Sequence, residues 1–154
     1  MTEPMTSTEN TTPELLLTTL IEKFAQSQAC WYSSIRKGNR VHLAPIWHVW
    51  HEHSIYVVTQ PTSVRAHNLQ FNNSVSLSLP DPMNVLIIEG TAEFAEGAAN
   101  TIQPLFQTKY NWDIISDTAY HTVIRVVPGK LLAWGDHGSG RWRYNSETAQ
   151  WAAL

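Results

Sequence analysis

Between Ala29 and Trp134 the apolar residues arrive in short bursts, each cut off by turn chemistry, and this punctuation limits the fold more than any other feature of the chain. Ala29–Arg36 reads as a strand and ends at Lys37-Gly38-Asn39. Val41–Trp50 is a second strand, with Pro45 inside it marking an edge or a bulge where a missing N–H does little harm. His51-Glu52-His53-Ser54 turns the chain into a third strand, Ile55–Thr59. A short helix over about 62–72 precedes a strand at 74–79, whose Val75, Leu77 and Leu79 alternate. Pro80-Asp81-Pro82 then breaks the chain before a long strand over about 84–95. Two more strands, His121–Val127 and Lys130–Trp134, flank Pro128-Gly129. Six or seven strands with one short intervening helix point to a mainly β protein, an antiparallel barrel that closes on itself and so removes exposed edges.

Two stretches keep a helical period. Leu15, Leu16, Leu17, Leu20, Ile21 and Phe24 share one face of a helix over about 13–27, with Pro13 suited to its first turn. Ala98–Thr108 reads as a further flanking helix, whereas 109–118 follows neither period. Residues 1–12 are polar and read as a disordered leader, which leaves 13–154 as a single domain.

Apolar residues make up 43% of the 154 and charged residues 15%, which is too apolar and too weakly charged for a disordered polyelectrolyte. Ten Lys and Arg against 13 Asp and Glu leave no basic excess to neutralise a phosphate backbone, so a nucleic-acid partner is not expected. The start of the chain lacks the basic-then-apolar pattern of a secretory signal, and no apolar run approaches the roughly 20 residues that span a bilayer. Cys30 is the only cysteine and has no intramolecular disulfide partner. A soluble, cytoplasmic protein without membrane contact is the expectation.

Little here carries nucleophilic or metal chemistry. His48, His51 and His53 are close in sequence, but on a strand His48 faces away from the other two, and no Asp or Cys nearby completes a tetrahedral set. No metal is expected. Cys30 next to Trp31 in a strand reads as a small buried hydrophobe. Ser139 lies between two glycines outside the strand–turn–helix context of a nucleophile elbow. The segment Thr59-Gln60-Pro61-Thr62-Ser63-Val64-Arg65 is different, because it runs from a strand end into a helix start. Free backbone N–H groups there favour an anion, Thr59 and Ser63 add hydroxyls, and Arg65 adds a planar fork matched to a phosphate. A capped helix with a solvated arginine accounts for the same residues, and spacing alone leaves both readings open.

Thr59–Pro80 also resembles the flavin-phosphate segment of the pyridoxamine 5′-phosphate oxidases and their shorter relatives, the FMN-binding split barrels. Pro45-Ile46-Trp47-His48-Val49-Trp50 is similar to the Pro-Val-Trp strand of the short relatives, and Ile88-Glu89-Gly90-Thr91-Ala92 to their EGxA strand. Ala133-Trp134-Gly135 and Arg141-Trp142-Arg143-Tyr144, followed by Trp151, resemble the closing segment of the oxidases. The resemblance implies a split β-barrel with flanking helices that binds FMN and serves as an oxidoreductase on a small molecule. It places Arg65, Ser63 and Thr59 at the cofactor phosphate and the peptides of Pro45, Ile46 and Trp47 along the ring edge. His48 falls at a strand lysine that serves the site, and Trp134 and Arg141 at a tryptophan and an arginine that reach the flavin.

The resemblance further implies a homodimer with the cofactor between subunits. The aromatic tail, with no evident place in a small barrel's own core, would then cover a partner's site. Some relatives take the deazaflavin F420 instead of FMN. The departures from the family pattern are specific. Val64 stands at an arginine of the phosphate site, Leu43 at a strand arginine and Val85 at a glutamine that touches the ring. The Arg-Leu-His that holds pyridoxal is missing between Gly140 and Arg141, so oxidation of vitamin B6 is not expected. Fewer cationic clamps also favour a non-enzymatic flavin binder as a rival to the oxidoreductase.

Overall fold

The periodic apolar stripe after Pro13 forms α1 (Pro13–Gln26) and buries Leu17, Leu20 and Phe24. The computed structural model describes residues 12–154, so the expected leader lies outside the described residues except for Thr12. Thr12 caps α1, its hydroxyl accepting the Leu15 N–H at 3.1 Å, and Pro13 takes the first turn where no N–H is needed. The three buried side chains join the core of the barrel, each worth about 1.5–3 kcal/mol of burial.

Nine strands and two further helices follow. They are β1 (Cys30–Arg36), β2 (Arg40–Ile46), β3 (Val49–His51), β4 (Ser54–Thr59), α2 (Val64–Leu69), β5 (Ser74–Ser78), β6 (Asn84–Phe94), α3 (Ala99–Tyr110), β7 (Thr122–Gly135), β8 (Gly140–Asn145) and β9 (Gln150–Ala153). All pairings are antiparallel, in the order β2-β1-β5-β6-β7-β4-β3, with β8 on β7 and β9 on β8. The two ends of this path, β2 and β3, are neighbours in sequence, so the sheet curls round until its edges meet at Trp47 and His48. The result is the expected β-barrel with flanking helices, split where those edges face without pairing.

That split corrects the single strand expected over Val41–Trp50. Trp47 and His48 leave the ladder, and the segment divides into one strand that pairs with β1 and another that pairs with β4. Pro45 sits opposite Trp31 on an edge strand, the place in a sheet where proline is tolerated.

The two strands expected around Pro128-Gly129 are one continuous strand. Its register against β6 shifts at Glu89 and Gly90, which oppose Lys130 and Pro128, so the Pro-Gly pair forms a bulge rather than a turn. Here Gly90 is required. A Cβ on it would lie 2.5 Å from the Val127 carbonyl oxygen.

The glycine-rich, aromatic tail is also a correction. It forms β8 and β9 on the chain's own sheet, and Trp142 is buried in the chain's own core with Trp151 packed against it. The helix expected over 62–72 contracts to the six residues of α2, because Gln60-Pro61-Thr62 form the turn before it.

β4 is buried along its whole length, which explains its unbroken Ile55-Tyr56-Val57-Val58 run. Ile55 and Val57 point into the barrel, while Tyr56 and Val58 pack outward against Ile102 and Phe106 of α3 and against Ile114. This second, outer core fixes α3 and the loop after it beside the β2–β3 corner. No helix among the described residues is long and apolar enough to cross a membrane.

Candidate functional site

The corner, the end of β4, α2 and the loop after α3 enclose a cleft of about 600 Å³, within the range of small-molecule sites. Pro45, Ile46 and Trp47 form one wall, Val58 and Thr59 the floor, and Arg65 stands on α2 at the side. Tyr110, Asn111, Trp112, Asp117 and Tyr120 close the remaining face.

Local structure holds Arg65 in place. Ser63 caps α2, its hydroxyl accepting the Ala66 N–H at 3.1 Å. Buried Asn68 ties the helix to β1 by donating to the Ser34 hydroxyl at 2.9 Å. The Arg65 guanidinium donates from Nη2 to the Pro45 carbonyl at 2.6 Å and lies over the Tyr32 ring, 5.4 Å from its centroid. Its Nε is buried without a partner, and among the described residues no carboxylate pairs with it. Burial pulls its pKa down, but from so high a value that the group stays charged at neutral pH.

Trp47 is half exposed and stacks face to face with Tyr110, their centroids 4.4 Å apart and planes 3° from parallel. Trp112 meets Trp47 edge-on at 6.0 Å, and Tyr120 meets Trp112 edge-on at 5.9 Å. Asp117 holds this loop together: its carboxylate accepts the N–H groups of Ala119 and Tyr120 at 2.9 and 2.8 Å and the Trp112 indole N–H at 3.0 Å. Tyr110 is tied down from below, where its hydroxyl accepts the His48 N–H at 2.9 Å and lies 2.8 Å from the Gln28 carbonyl. The neighbouring Lys109 ammonium donates to the carbonyls of Ala25 and His48 at 2.9 and 2.7 Å, and burial lowers its pKa to about 8. One cation thus ties the end of α1, the barrel corner and the cleft-covering loop together.

Of the nine residues expected at a cofactor, the structure brings Pro45, Ile46, Trp47, Thr59 and Arg65 onto one cleft. The other four lie off it within the chain. Ser63 spends its hydroxyl on the helix cap, and a helix of six residues is too short to offer an anion site at its N-terminus. His48 is a correction with a clear cause: consecutive side chains at the corner point to opposite sides, so Trp47 faces the cleft and His48 faces the core. The imidazole is fully buried; its Nε2 donates to the Phe24 carbonyl at 2.8 Å and its Nδ1 has no partner. Burial, aided by the positive charge of Lys109, lowers its pKa to about 4, so it is a neutral core residue at pH 7.

Trp134 and Arg141 lie on β7 and β8, where Trp134 pairs with Val85 and Arg141 with Leu132. Trp134 is 50% exposed to solvent.

The aromatic cover of Tyr110, Trp112 and Tyr120 falls in and just after the segment that follows neither period. Its only trace in the sequence is three rings and two Asp between 110 and 120, without a period to say which way they face. Elsewhere, burial pushes the Cys30 thiol up to about 12, which suits an inert core residue. His53 stacks on Tyr144, and among the described residues no three His, Cys, Asp or Glu side chains converge.

The model of a family described as pyridoxamine 5′-phosphate oxidase matches residues 17–134. No curated protein matches the chain. Among solved structures, the chain is similar to a protein of the pyridoxinephosphate oxidase family related to general stress protein 26, from Clostridium acetobutylicum. The identity is 13% over 91% of this chain and 100% of that one, with a TM-score of 0.65. It is also similar to ChuZ from Campylobacter jejuni, at 12% identity over 89% of this chain and 62% of that one, TM-score 0.72. A third likeness is to an F420 reductase, at 16% identity over 71% of this chain and 94% of that one, TM-score 0.60. At such identities the likeness is one of fold.

Proposed function

The chain belongs to the pyridoxamine 5′-phosphate oxidase family, and from that premise we propose that its cleft holds FMN and that the protein is a flavin-dependent oxidoreductase of a small molecule. Arg65 carries this reading. A half-buried cation with a free Nε and no carboxylate partner, fixed against the Pro45 carbonyl, suits a phosphate that would complete its hydrogen bonds. Thr59 lines the floor of the same cleft, and the peptides of Pro45–Trp47 offer an edge for a flat ring. The flavin, when bound, supplies the electron or hydride transfer. The residues of this chain bind it, orient it and exclude water.

The protein works in this reading as a homodimer with the site at the subunit interface. Trp134 and Arg141 lie off the cleft of their own chain, so they would complete a flavin site only across a two-fold axis. An apolar face adjoins the cleft on the edge strand and its neighbour, where Trp31, Val41 and Leu43 are 40%, 70% and 59% exposed. A second copy covers that face. The tail strands are already committed to their own sheet, and the partner receives only what projects from them.

Two features favour neighbouring readings. The likeness to an F420 reductase supports the deazaflavin in place of FMN. Val64 and Val85, at positions where clamps were expected, support a flavin binder without turnover. Absorption of the purified protein separates FMN from F420, and steady-state turnover with NAD(P)H and an acceptor separates enzyme from binder. FMN titrated into the apoprotein should be bound and its fluorescence changed, and light scattering should report about twice 17.4 kDa. A monomer that binds FMN tightly would remove the shared site, and absence of FMN binding would remove the cofactor.

A further inference from the structure

With Arg65 given to the cofactor phosphate, as proposed above, the rest of the cleft carries a different chemistry. Three of the residues covering it are aromatic, and Trp47, which is half exposed, also lines it. Indole and phenol faces are negative and attract cations. Among the described residues Asp117 is the only carboxylate lining the cleft, and it accepts the indole N–H of Trp112. Its Oδ1 takes two backbone N–H groups and its Oδ2 only the Trp112 indole N–H, which leaves acceptor capacity on Oδ2.

The same donors, Tyr120 and Ala119 foremost, hold its pKa below the usual value, so it is ionised at neutral pH. Residues 111–121 contain two Asp and no Lys or Arg; their one basic side chain, His121, is close enough to add to the lowering of the Asp117 pKa. The nearby ammonium of Lys109 is committed to two main-chain carbonyls. We infer that the substrate end of the cleft, formed by Trp47, Trp112, Tyr120 and Asp117, selects a planar aromatic molecule that carries a positive charge. The rings take the flat body and the carboxylate takes the charged, N–H-bearing end. Tyr110, stacked on one face of Trp47, sets the orientation of that ring.

Benzamidinium, benzamide and benzoate share one ring and differ in charge; because Arg65 lines the same cleft and would itself hold benzoate, calorimetric titration of each into the full-length protein in saturating inorganic phosphate, which occupies Arg65, tests the assignment. Benzamidinium should bind about tenfold or more tightly than benzoate, with benzamide between. Asp117→Asn should collapse the difference. Because Asp117 also braces its loop, Tyr120→Lys provides a second arm: it sets a cation beside the carboxylate while keeping the backbone N–H that the carboxylate accepts. That variant should abolish or reverse the order. Benzoate binding as tightly as benzamidinium, or an order unchanged in both variants, would overturn the inference. Each titration is repeated with FMN present. The charge order without FMN binding would sink the cofactor reading alone, and FMN binding without the order would sink this one alone.

Discussion

His48 gives the fold a sensitivity to acid that can be worked out from its surroundings. The ring is fully buried, with Nε2 on the Phe24 carbonyl and Nδ1 unpartnered. Burial first and Lys109 second lower its pKa from 6.5 to about 4. Between those values the unfolded chain binds a proton that the folded chain refuses, so stability is complete above 6.5 and falls as pH drops toward 4. The whole gap corresponds to roughly 3 kcal/mol, at about 1.4 kcal/mol per unit. Between about pH 7.5 and about pH 5 the group's share is roughly 2 kcal/mol. Urea unfolding of the wild type and of His48→Gln, which keeps a donor for the Phe24 carbonyl, isolates it. The variant should lose less stability on acidification, by about that amount. Identical pH slopes in the two proteins would refute the reasoning, because carboxylates elsewhere are common to both.

Lys109→Met removes two charge-assisted bonds to the Ala25 and His48 carbonyls. It should cost about 1.5–3 kcal/mol and weaken the near-UV dichroism of the Trp47–Tyr110 stack; an unaltered spectrum would show that the ammonium does not hold the loop. Gly135 has φ +127°, and a Cβ on it would collide with the Met83 carbonyl. Gly135→Ala should therefore lower Tm by roughly 5 °C or more in thermal unfolding, and a midpoint equal to the wild type's would contradict the strain.

What was legible in the sequence was what local pattern decides. The 3.6-residue stripe gave α1 within one residue of its end, and the alternation of Val75 and Leu77 gave β5. Thr59 and Arg65 reached the cleft because a strand end and a helix start are both local events. What long-range pairing decides was hidden. Pro128-Gly129 carries turn chemistry, and only the register against Glu89 and Gly90 makes it a bulge. His48 and Trp47 are adjacent in one motif, yet the barrel's closure sends one to the core and one to the cleft. The tail looked surplus to a small barrel because its two strands alternate weakly, and Trp142 finds its place only once β8 lies on β7. The cover over the cleft depends on Tyr110 hydroxyl bonds that reach 62 and 82 residues back along the chain.

The central claim is that Arg65 grips a cofactor phosphate, and the contrast between FMN and riboflavin tests it most directly. Arg65→Ala removes a charge-assisted contact, worth roughly 1.5–3 kcal/mol, or about ten- to a hundredfold in affinity. Riboflavin lacks the phosphate, so its binding should hardly change, whereas damage to the fold would weaken both ligands alike. Arg65→Lys, which keeps the charge and loses the fork, should fall between the wild type and the alanine variant. Fluorescence titrations in which FMN weakens by that factor and riboflavin does not are the predicted result. Equal shifts for the two ligands, or no shift for either, would contradict the account.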